Sequence, residues 1–401
     1  MSENQQNVKK IWNFGAGPAM IPQKVLEKVQ LELLNYNNTG MSVMEISHRS
    51  KEFEDLLNTA KNNLIKLLNI PNNYRVLFMQ GGGHTQFSAI VYNLLAAKSQ
   101  NVSQSSVDEG EKEAFNPPLD YIITGSWSAK AFEEAKRLYN NVNVVIDAKK
   151  FNGSYGSIPS KEHWKLSGSK AAYVYYCDNE TVNGVEFNHV PEVDPEVPLV
   201  CDMSSNILSR KIDVSKFGLI YAGSQKNIGP AGVTIVIVRE DLLTKPKSIT
   251  TQDTTNVPIV PTMLDYKTMA DNNSLYNTPP VFAIYVANYV FEWLLENGGI
   301  DSIEKENAVK SSKLYNMITN SKIYQSPVEK SVRSRMNIPF RIDPPELENF
   351  FLDGAAQLGM VQLKGHRSVG GIRASIYNAM PLQGVEILIE YMIDFEKKNS
   401  K

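Results

Sequence analysis

Cysteine is scarce in this sequence, with Cys177 and Cys201 the only two among 401 residues. Two cysteines do not make the disulfide framework of a small secreted protein, so we expect a reducing compartment, with the cytoplasm as the default. Positive charge is not in excess either, because 41 Lys and Arg are balanced by 43 Asp and Glu. No global field attracts nucleic acid or an anionic membrane, and we expect small-molecule partners.

Long apolar runs are missing as well. The strongest apolar segment, residues 281–295, contains Asn288 and Glu292, and residues 1–10 are polar. A membrane-spanning helix needs about 20 consecutive apolar residues, and a secretion signal needs an apolar stretch near its start. We therefore expect neither a membrane span nor a secretion signal.

Short β-branched or aromatic runs alternate with amphipathic segments through the first two-thirds of the chain. These runs predict strands at 74–79, 121–124, 142–146, 172–177, 199–201, 219–222 and 233–238. Several are apolar throughout, which is typical of a mostly parallel sheet covered by helices on both faces. Segments 86–95 and 129–139 have helical spacing and each follows a strand and a glycine-bearing turn. The pattern predicts an α/β domain.

The chain changes character after the helix predicted at 281–297, which ends at Gly298 and Gly299. Beyond it the patterns predict helices at 301–319, 345–358 and 382–397 and a strand at 336–341. This is the pattern of a smaller α+β domain. We divide the chain into an N-terminal segment that packs with the small domain, a large domain and a small C-terminal domain: residues 1–20, 21–298 and 299–401.

Residues 98–118 are rich in Ser, Gln, Asp and Glu and almost devoid of apolar side chains. Such a composition cannot bury enough surface to order itself, so we expect an exposed or disordered loop here.

Three glycines lie between a predicted strand and a predicted helix, in QGGGHTQ at 80–86. Backbone N–H groups at such a turn can bind a phosphate at the positive end of the helix. The turn matches neither the phosphate-loop pattern nor the dinucleotide pattern Gly-x-Gly-x-x-Gly. Taken alone, a tight turn without a ligand is an equally good interpretation.

Lys226 lies among small, polar and turn residues in YAGSQKNIGP, between two apolar strands, and Asp202 ends the strand before them. A desolvated amine can form a Schiff base with an aldehyde, and a carboxylate can stabilise a protonated ring nitrogen. Trp127 and Thr181 also follow strands and could stack on a ring or donate to its hydroxyl. Taken singly, these residues are more often a solvated lysine, a helix cap, core packing and a turn.

Basic residues cluster in SHRS at 47–50 and in GHRSVGGIRAS at 365–375. Their three arginines and two histidines could bind two anionic groups. In isolation each is more often a solvated charge, but the glycines around Arg367 and Arg373 indicate a shaped loop.

Together these segments closely resemble the phosphoserine aminotransferase family, within the class V pyridoxal-phosphate enzymes of the aspartate aminotransferase-like fold. The resemblance runs nearly end to end. It includes NFGAGPA at 13–19, SVMEISHR at 42–49, the triple glycine, GSQKNIGPAG at 223–232, YNTPP at 276–280 and GIRASIYNA at 371–379.

The resemblance implies a role for each of these residues. Lys226 would be the Schiff-base lysine, with Asp202 on the pyridine nitrogen, Trp127 stacked on the ring and Thr181 at the ring hydroxyl. The cofactor phosphate would be held by Gly83, His84 and Gln225, with Asn277 and Thr278 reaching it from the other subunit of a homodimer. The substrate α-carboxylate would bind Arg373, and the distal anion would bind His48, Arg49, His366 and Arg367.

The implied reaction transfers an amino group from L-glutamate to 3-phosphohydroxypyruvate, giving O-phospho-L-serine and 2-oxoglutarate in L-serine biosynthesis. Bacterial relatives carry Arg-Gly after the three glycines, whereas this chain has His84-Thr85. The resemblance therefore assigns to position 84 its backbone N–H on the cofactor phosphate and assigns no role to the His84 side chain. The 98–118 segment is also longer than the family leads us to expect.

Two other functions stay open from the residues. A cysteine desulfurase or another class V lyase would use the same scaffold but needs a mobile, exposed cysteine, whereas both cysteines fall in predicted strands. A regulatory or binding protein could keep the fold without turnover, although Lys226, Asp202 and Arg373 together favour an enzyme.

Overall fold

The computed structural model describes residues 10–105, 115–244 and 259–400, without the side chains of 101–105. In these ranges the α-helices are α1 (Gln23–Glu32), α2 (Lys51–Leu68), α3 (Gly82–Ser105), α4 (Ser126–Leu138), α5 (Ala148–Asn152), α6 (Tyr266–Asp271), α7 (Val281–Glu296), α8 (Gly299–Asn320), α9 (Leu347–Gln357) and α10 (Leu382–Asn399). The strands are β1 (Trp12–Asn13), β2 (Tyr74–Met79), β3 (Leu119–Ile123), β4 (Val142–Asp147), β5 (Tyr173–Cys177), β6 (Asn179–Glu180), β7 (Val185–Glu186), β8 (Leu199–Asp202), β9 (Leu219–Gly223), β10 (Thr234–Arg239), β11 (Tyr324–Gln325), β12 (Asn337–Ile342), β13 (Met360–Val361) and β14 (Ile372–Ser375).

The central sheet has seven strands in the order β2-β10-β9-β8-β5-β3-β4. Strands β4, β3, β5, β8 and β9 pair in parallel, while β10 is antiparallel to both of its neighbours, β9 and β2. Strand β2 therefore runs in the same direction as the parallel strands. The carboxyl ends of β2, β3, β5, β8 and β9 consequently meet at one edge of the sheet.

Both faces of this sheet are buried. Successive side chains of a strand point to opposite faces, so each strand contributes to two hydrophobic clusters. In β9, Leu219 and Tyr221 belong to one hydrophobic cluster, and Ile220 and Ala222 belong to another. Helices α2 and α7 cover the second cluster, and α3 and α4 cover the first. This arrangement explains why the strands are apolar throughout, and the predicted mostly parallel α/β fold is confirmed.

A third hydrophobic cluster joins the two ends of the chain. It contains Trp12 and Phe14 together with side chains from α8, α9, α10 and the sheet β11-β12-β14. Strand β1 pairs in parallel with β13, with Trp12 opposite Met360. The first described residues thus pack with the C-terminal α+β part, while residues 1–9 of the predicted 1–20 segment lie outside the described residues.

The seven predicted strands all occur in the central sheet, with ends that differ by at most two residues. The loop predicted at 98–118 is wrong at its start, because α3 continues through Ser105. Lys98 donates to the Ser169 carbonyl at 2.8 Å, and the buried Ser99 hydroxyl donates to the Ala96 carbonyl at 2.8 Å. These polar residues are compatible with a helix because their hydrogen bonds are met. Residues 106–114 of the predicted loop lie outside the described ranges.

In the part of the chain that the structure describes, no helix combines the length and apolar character that crossing a membrane requires.

Candidate active site

The carboxyl edge of the central sheet opens into a cavity of about 270 Å³. Parallel α/β sheets bind ligands at this edge, because the loops that follow the strands converge there. The cavity is lined by residues at or after the ends of β2, β3, β5, β8 and β9, by two residues near the N-terminus and by two from the C-terminal part. Among them are Gly83, His84, Trp127, Thr181, Asp202, Gln225, Lys226, His366 and Arg373.

Lys226 presents its amine inside this cavity. Its residue is only 8% exposed, and the amine donates a hydrogen bond to Oγ1 of Thr181 at 2.7 Å. Burial lowers the pKa of Lys226 to about 8, although the negative charge on Asp202 acts in the opposite direction. About one tenth of the amine is therefore uncharged at pH 7, far more than for an ordinary lysine, and the uncharged form is the nucleophile.

Asp202, the last residue of β8, is buried and held by two donors. Its Oδ1 accepts from the N–H of Ser204 at 2.8 Å, and its Oδ2 accepts from the Tyr221 hydroxyl at 2.8 Å. Tyr221 lies on the neighbouring strand β9, opposite Asp202 in the parallel register. A carboxylate fixed in this way can stabilise a positive charge in the cavity.

The glycine turn and Trp127 form another wall. Helix α3 begins at Gly82, and Gly81 and Gly82 have φ values of 92° and 68°, which favour glycine. The first N–H groups of a helix have no partner inside it, so those of Gly83 and His84 are available to an anion. The His84 ring lies edge-on to the Trp127 ring, with centroids 5.5 Å apart.

Arg373 and His366 bring positive charge from the C-terminal part. Arg373 lies on β14, and its Nη1 donates to the Thr181 carbonyl at 3.2 Å. Nδ1 of His366 lies 2.7 Å from the Ser368 hydroxyl. Burial, followed by the positive charges of Arg373, Lys130 and Arg367, lowers the pKa of His366. The cavity thus holds an amine, a carboxylate and a guanidinium within one enclosure.

Five of the predicted site residues do not line this cavity within one chain. His48 is half-buried and Arg49 is exposed, on the segment before α2, and Arg367 is exposed on the loop after His366. Asn277 is half-buried and Thr278 is exposed; the Thr278 carbonyl accepts from Nε2 of Gln80 at 3.0 Å. The structure therefore brings nine of the predicted residues together and leaves these five outside.

Sequence reasoning missed several residues that shape the site. Ala16, Gly17, Asn179, Ser204 and Ser205 also line the cavity. They all lie within three residues of a position or motif that the sequence singled out. Tyr221 donates to the Asp202 carboxylate, and Glu180 accepts from the N–H of Trp127. Tyr221 reads as core because it lies in an apolar strand, and Glu180 lies in a segment that reads as a turn. Only their position next to a strand end could have pointed to them.

The two cysteines are both free and buried. Cys177 lines the cavity, yet it is the last residue of β5, and burial raises its pKa well above the ordinary value. Burial likewise raises the pKa of Cys201. Neither thiol is the exposed, reactive group that desulfurase chemistry needs.

Comparison with known proteins agrees with this geometry. The model of the aminotransferase class-V family matches residues 11–388. The phosphoserine aminotransferase of Pseudomonas syringae pv. syringae is 49% identical over 391 residues, covering 98% of this chain and 99% of that protein.

Solved structures are similar over the same length. The phosphoserine aminotransferase of Bacillus circulans subsp. alkalophilus is 44% identical with a TM-score of 0.86, covering 98% of this chain and 99% of that one. The enzyme of Trichomonas vaginalis, described as bound to pyridoxal phosphate (PLP), is 39% identical with a TM-score of 0.83, covering 96% and 100%. The chain therefore belongs to the phosphoserine aminotransferase family of the class V aminotransferases.

Proposed function

We propose that this chain transfers an amino group between L-glutamate and 3-phosphohydroxypyruvate, giving O-phospho-L-serine and 2-oxoglutarate in L-serine biosynthesis. The observation that carries the proposal is the buried amine of Lys226, which shares one cavity with the Asp202 carboxylate and the Arg373 guanidinium. A desolvated amine is suited to covalent chemistry with an aldehyde, and a guanidinium is suited to a substrate carboxylate.

The donors in the cavity fit PLP. A phosphate suits the N–H groups of Gly83 and His84 at the start of α3, with Gln225 beside them. Gly83 itself lines the cavity, so its backbone is accessible to such a phosphate. Asp202 would pair with the ring nitrogen, Trp127 would cover a ring face and Thr181 would meet the ring hydroxyl.

Bound PLP supplies an aldehyde that accepts the amino group and a protonated ring that takes up the electrons left on the substrate α-carbon. Lys226 would hold the cofactor and then move a proton at the substrate α-carbon as general base and acid. Arg373 would bind the α-carboxylate, which orients the α-carbon toward the amine. Two half-reactions in sequence predict ping-pong kinetics.

The distal anion of the substrate, a phosphate or a carboxylate, would bind a cluster of His48, Arg49, His366 and Arg367. Of these, only His366 lines the cavity within one chain. We therefore propose that a homodimer completes the site, with Asn277 and Thr278 reaching the cofactor phosphate of the partner. In support, Thr278 is exposed and lies outside the cavity of its own chain.

Exposed apolar side chains supply a surface for such a dimer. Leu31 and Leu34 are 85% and 83% exposed, and Met41 and Met44 follow on the same segment, which ends at His48 and Arg49. Several large apolar side chains exposed within a short segment are consistent with an interaction site. The partner we propose is a second copy of this chain.

Shared sites can be tested by mixing two inactive variants. One chain carries Lys226→Ala and the other carries Asn277→Ala with Thr278→Ala. If the sites are shared, subunit exchange creates one complete site and restores activity. Mixtures that stay inactive after exchange has been verified would contradict the shared site.

The reaction itself is tested by single turnovers with phosphoserine, glutamate, serine and alanine. Phosphoserine and glutamate should react fastest, because they carry the distal anion. Equal reaction with alanine would refute the substrate assignment, and substantial transamination by Lys226→Ala would refute the role of that lysine. Sulfide release from cysteine would instead favour the lyase alternative.

We further propose that the domains divide at 20 and 298, and that the protein is cytoplasmic. The separate hydrophobic cluster that joins Trp12 to α9 and α10 supports the division. The two free cysteines are consistent with a reducing compartment.

A further inference from the structure

Trp127 stands on a helix whose first turn has no capping side chain of its own, because the residue before α4 is Gly125. The buried carboxylate of Glu180 takes that place. Its Oε2 accepts from the N–H of Trp127 at 2.8 Å, and its Oε1 accepts from the N–H of Ser128 at 2.8 Å and from the Ser128 hydroxyl at 2.5 Å. The carboxylate thereby meets donors that the helix cannot satisfy itself.

Glycine at position 125 makes this close approach possible. A Cβ built there would collide with Cγ and Cδ of Glu180. Glu180 is fully buried, so its carboxylate has no water to replace the helix donors. The contact between Glu180 and α4 is therefore fixed by packing as well as by hydrogen bonds.

The same residue belongs to the hairpin of β6 and β7 that contacts the reactive amine. Thr181, the next residue after Glu180, accepts from Nζ of Lys226 at 2.7 Å and from Arg373 at 3.2 Å. Asn183, in the turn of this hairpin, accepts from the N–H of Ser126 at 2.9 Å. One hairpin thus holds the start of α4 on one side and the amine on the other.

We infer that Glu180 is a positioning residue for amino transfer, which fixes the Trp127 ring relative to the Lys226 amine. The amine lies 5.8 Å from the centroid of that ring. Glu180 does not line the cavity and acts through Trp127 and Thr181. The inference rests on the proposed function, because a fixed spacing matters when ring and amine hold one ligand between them.

The ionised form of Glu180 is the one that accepts all three hydrogen bonds. Burial raises the pKa of Glu180 to about 6, against the lowering effect of the bonds from Ser128 and Trp127. The other ionisable groups that interact electrostatically with it are Asp202, Lys226, Cys177 and Tyr155. Protonation turns one carboxylate oxygen of Glu180 into a donor, and this oxygen then faces an N–H donor of the helix. We therefore expect Trp127 to lose its fixed position as the pH falls through about 6.

The test compares Glu180→Gln with Glu133→Gln, which alters an exposed carboxylate on the same helix. In the cofactor-free protein, the near-UV circular dichroism should change with a midpoint near pH 6. Trp127→Phe should abolish the change, which assigns it to this indole. Glu180→Gln should abolish it too, and Glu133→Gln should keep it. A transition that persists in Glu180→Gln would overturn the inference.

Ser128→Ala provides a second variant in case Glu180→Gln does not fold. It removes one donor to the carboxylate and leaves the carboxylate in place. Because the ionised form loses a hydrogen bond, the midpoint should move to higher pH. A midpoint that stays in place or moves to lower pH would contradict the role of Glu180.

Cofactor affinity gives a readout that does not depend on turnover. PLP binding to the cofactor-free protein, followed by tryptophan fluorescence, should be about tenfold weaker in Glu180→Gln, because charged hydrogen bonds are lost. Glu133→Gln should bind as the wild type does. Unchanged affinity in Glu180→Gln would refute the inference. Failure of the proposed function would be distinct, since the wild type itself would then not transaminate phosphoserine.

Discussion

The Tyr221 hydroxyl donates a hydrogen bond to Oδ2 of Asp202 at 2.8 Å, and the hydroxyl oxygen of Tyr221 lies 2.9 Å from the hydroxyl oxygen of Tyr175. All three side chains are buried. The carboxylate of the cavity is therefore connected to two phenols on neighbouring strands. Because both phenols are fully buried, removal of the Tyr221 hydroxyl leaves the Tyr175 hydroxyl without its partner and takes one donor from Asp202.

Tyr221→Phe should lower the free energy of unfolding by about 2 kcal/mol, since Tyr175 and one oxygen of Asp202 lose their partner. Adding Tyr175→Phe removes the orphaned hydroxyl, so the double variant should be less destabilised than the sum of the single variants. Urea denaturation of the three cofactor-free variants measures this coupling. Strictly additive effects would show that the two phenols do not act as a unit.

Lys226 should make the cofactor-free protein less stable at neutral pH than above pH 10. Its pKa is lowered to about 8, whereas a lysine in the unfolded chain titrates near 10.4. The unfolded state therefore binds more protons between these values. The destabilisation caused by the buried Lys226 amine is fully present below pH 8 and disappears as the pH rises toward 10.4.

Lys226→Met should accordingly raise the free energy of unfolding by about 3 kcal/mol at pH 7, and the gain should shrink above pH 8. Denaturation at a series of pH values measures it. Lys136→Met, which alters an exposed lysine on α4, should show no such trend. A gain that is constant from pH 7 to 10 would mean that the Lys226 amine is not desolvated.

The central sheet was predictable because its strands are buried on both faces and read as unbroken apolar runs. Residues 199–202 illustrate this, since an apolar strand ends in Asp202, and Asp202 lines the cavity. The helical start of the 98–118 segment was not predictable from composition. Lys98 and Ser99 satisfy their polar groups through carbonyl oxygens, and one of these lies in a distant segment.

The cavity was predictable where a polar residue interrupts an apolar run, as at Lys226 and Thr181. Tyr221 was not predictable as a site residue, because a tyrosine in an apolar strand reads as core. Only the register of β8 and β9 places it opposite Asp202. Arg49 and Thr278 lie outside the cavity of one chain, and neither residue type nor spacing predicts that position. The sequence pattern therefore indicates which residues carry the chemistry better than it indicates where the fold places them.

Gly365→Ala should weaken phosphoserine binding more than it slows turnover. Gly365 closes the loop that carries His366 and Arg367, and its N–H donates to the Gly371 carbonyl at 2.8 Å. An added Cβ would collide with the Gly370 carbonyl oxygen, so the loop must move. We expect the KM for phosphoserine to rise about tenfold, because a small displacement of binding groups is costly.

Steady-state kinetics with phosphoserine measure this change. Gly153→Ala is the control, because an added Cβ there meets no atom within 4 Å, although the φ of Gly153 is positive. Its KM should stay at the wild-type value. An unchanged KM in Gly365→Ala would mean that the loop does not bind the distal anion.

Arg335→Met should destabilise the protein because it removes one of the two arginines that pair with a buried carboxylate. Glu186, on the β6-β7 hairpin, accepts from the Arg335 side chain at 3.0 and 3.2 Å, and its side chain is fully buried. We expect the free energy of unfolding to fall by about 2 kcal/mol, less than the full cost of breaking a buried pair, because Arg335 is partly exposed.

The control is Arg137→Met, which breaks an exposed pair with Glu134 and should lower the free energy of unfolding by less than about 1 kcal/mol. Adding Glu186→Gln to Arg335→Met should recover part of the lost stability, since it removes the negative charge that Arg335 balanced. Chemical denaturation of the wild type, the two single variants and the double variant measures these differences. If the double variant is less stable than Arg335→Met alone, the carboxylate is stabilised mainly by Arg210 and Asn206, which also contact it, and Arg335 does not hold the hairpin in place.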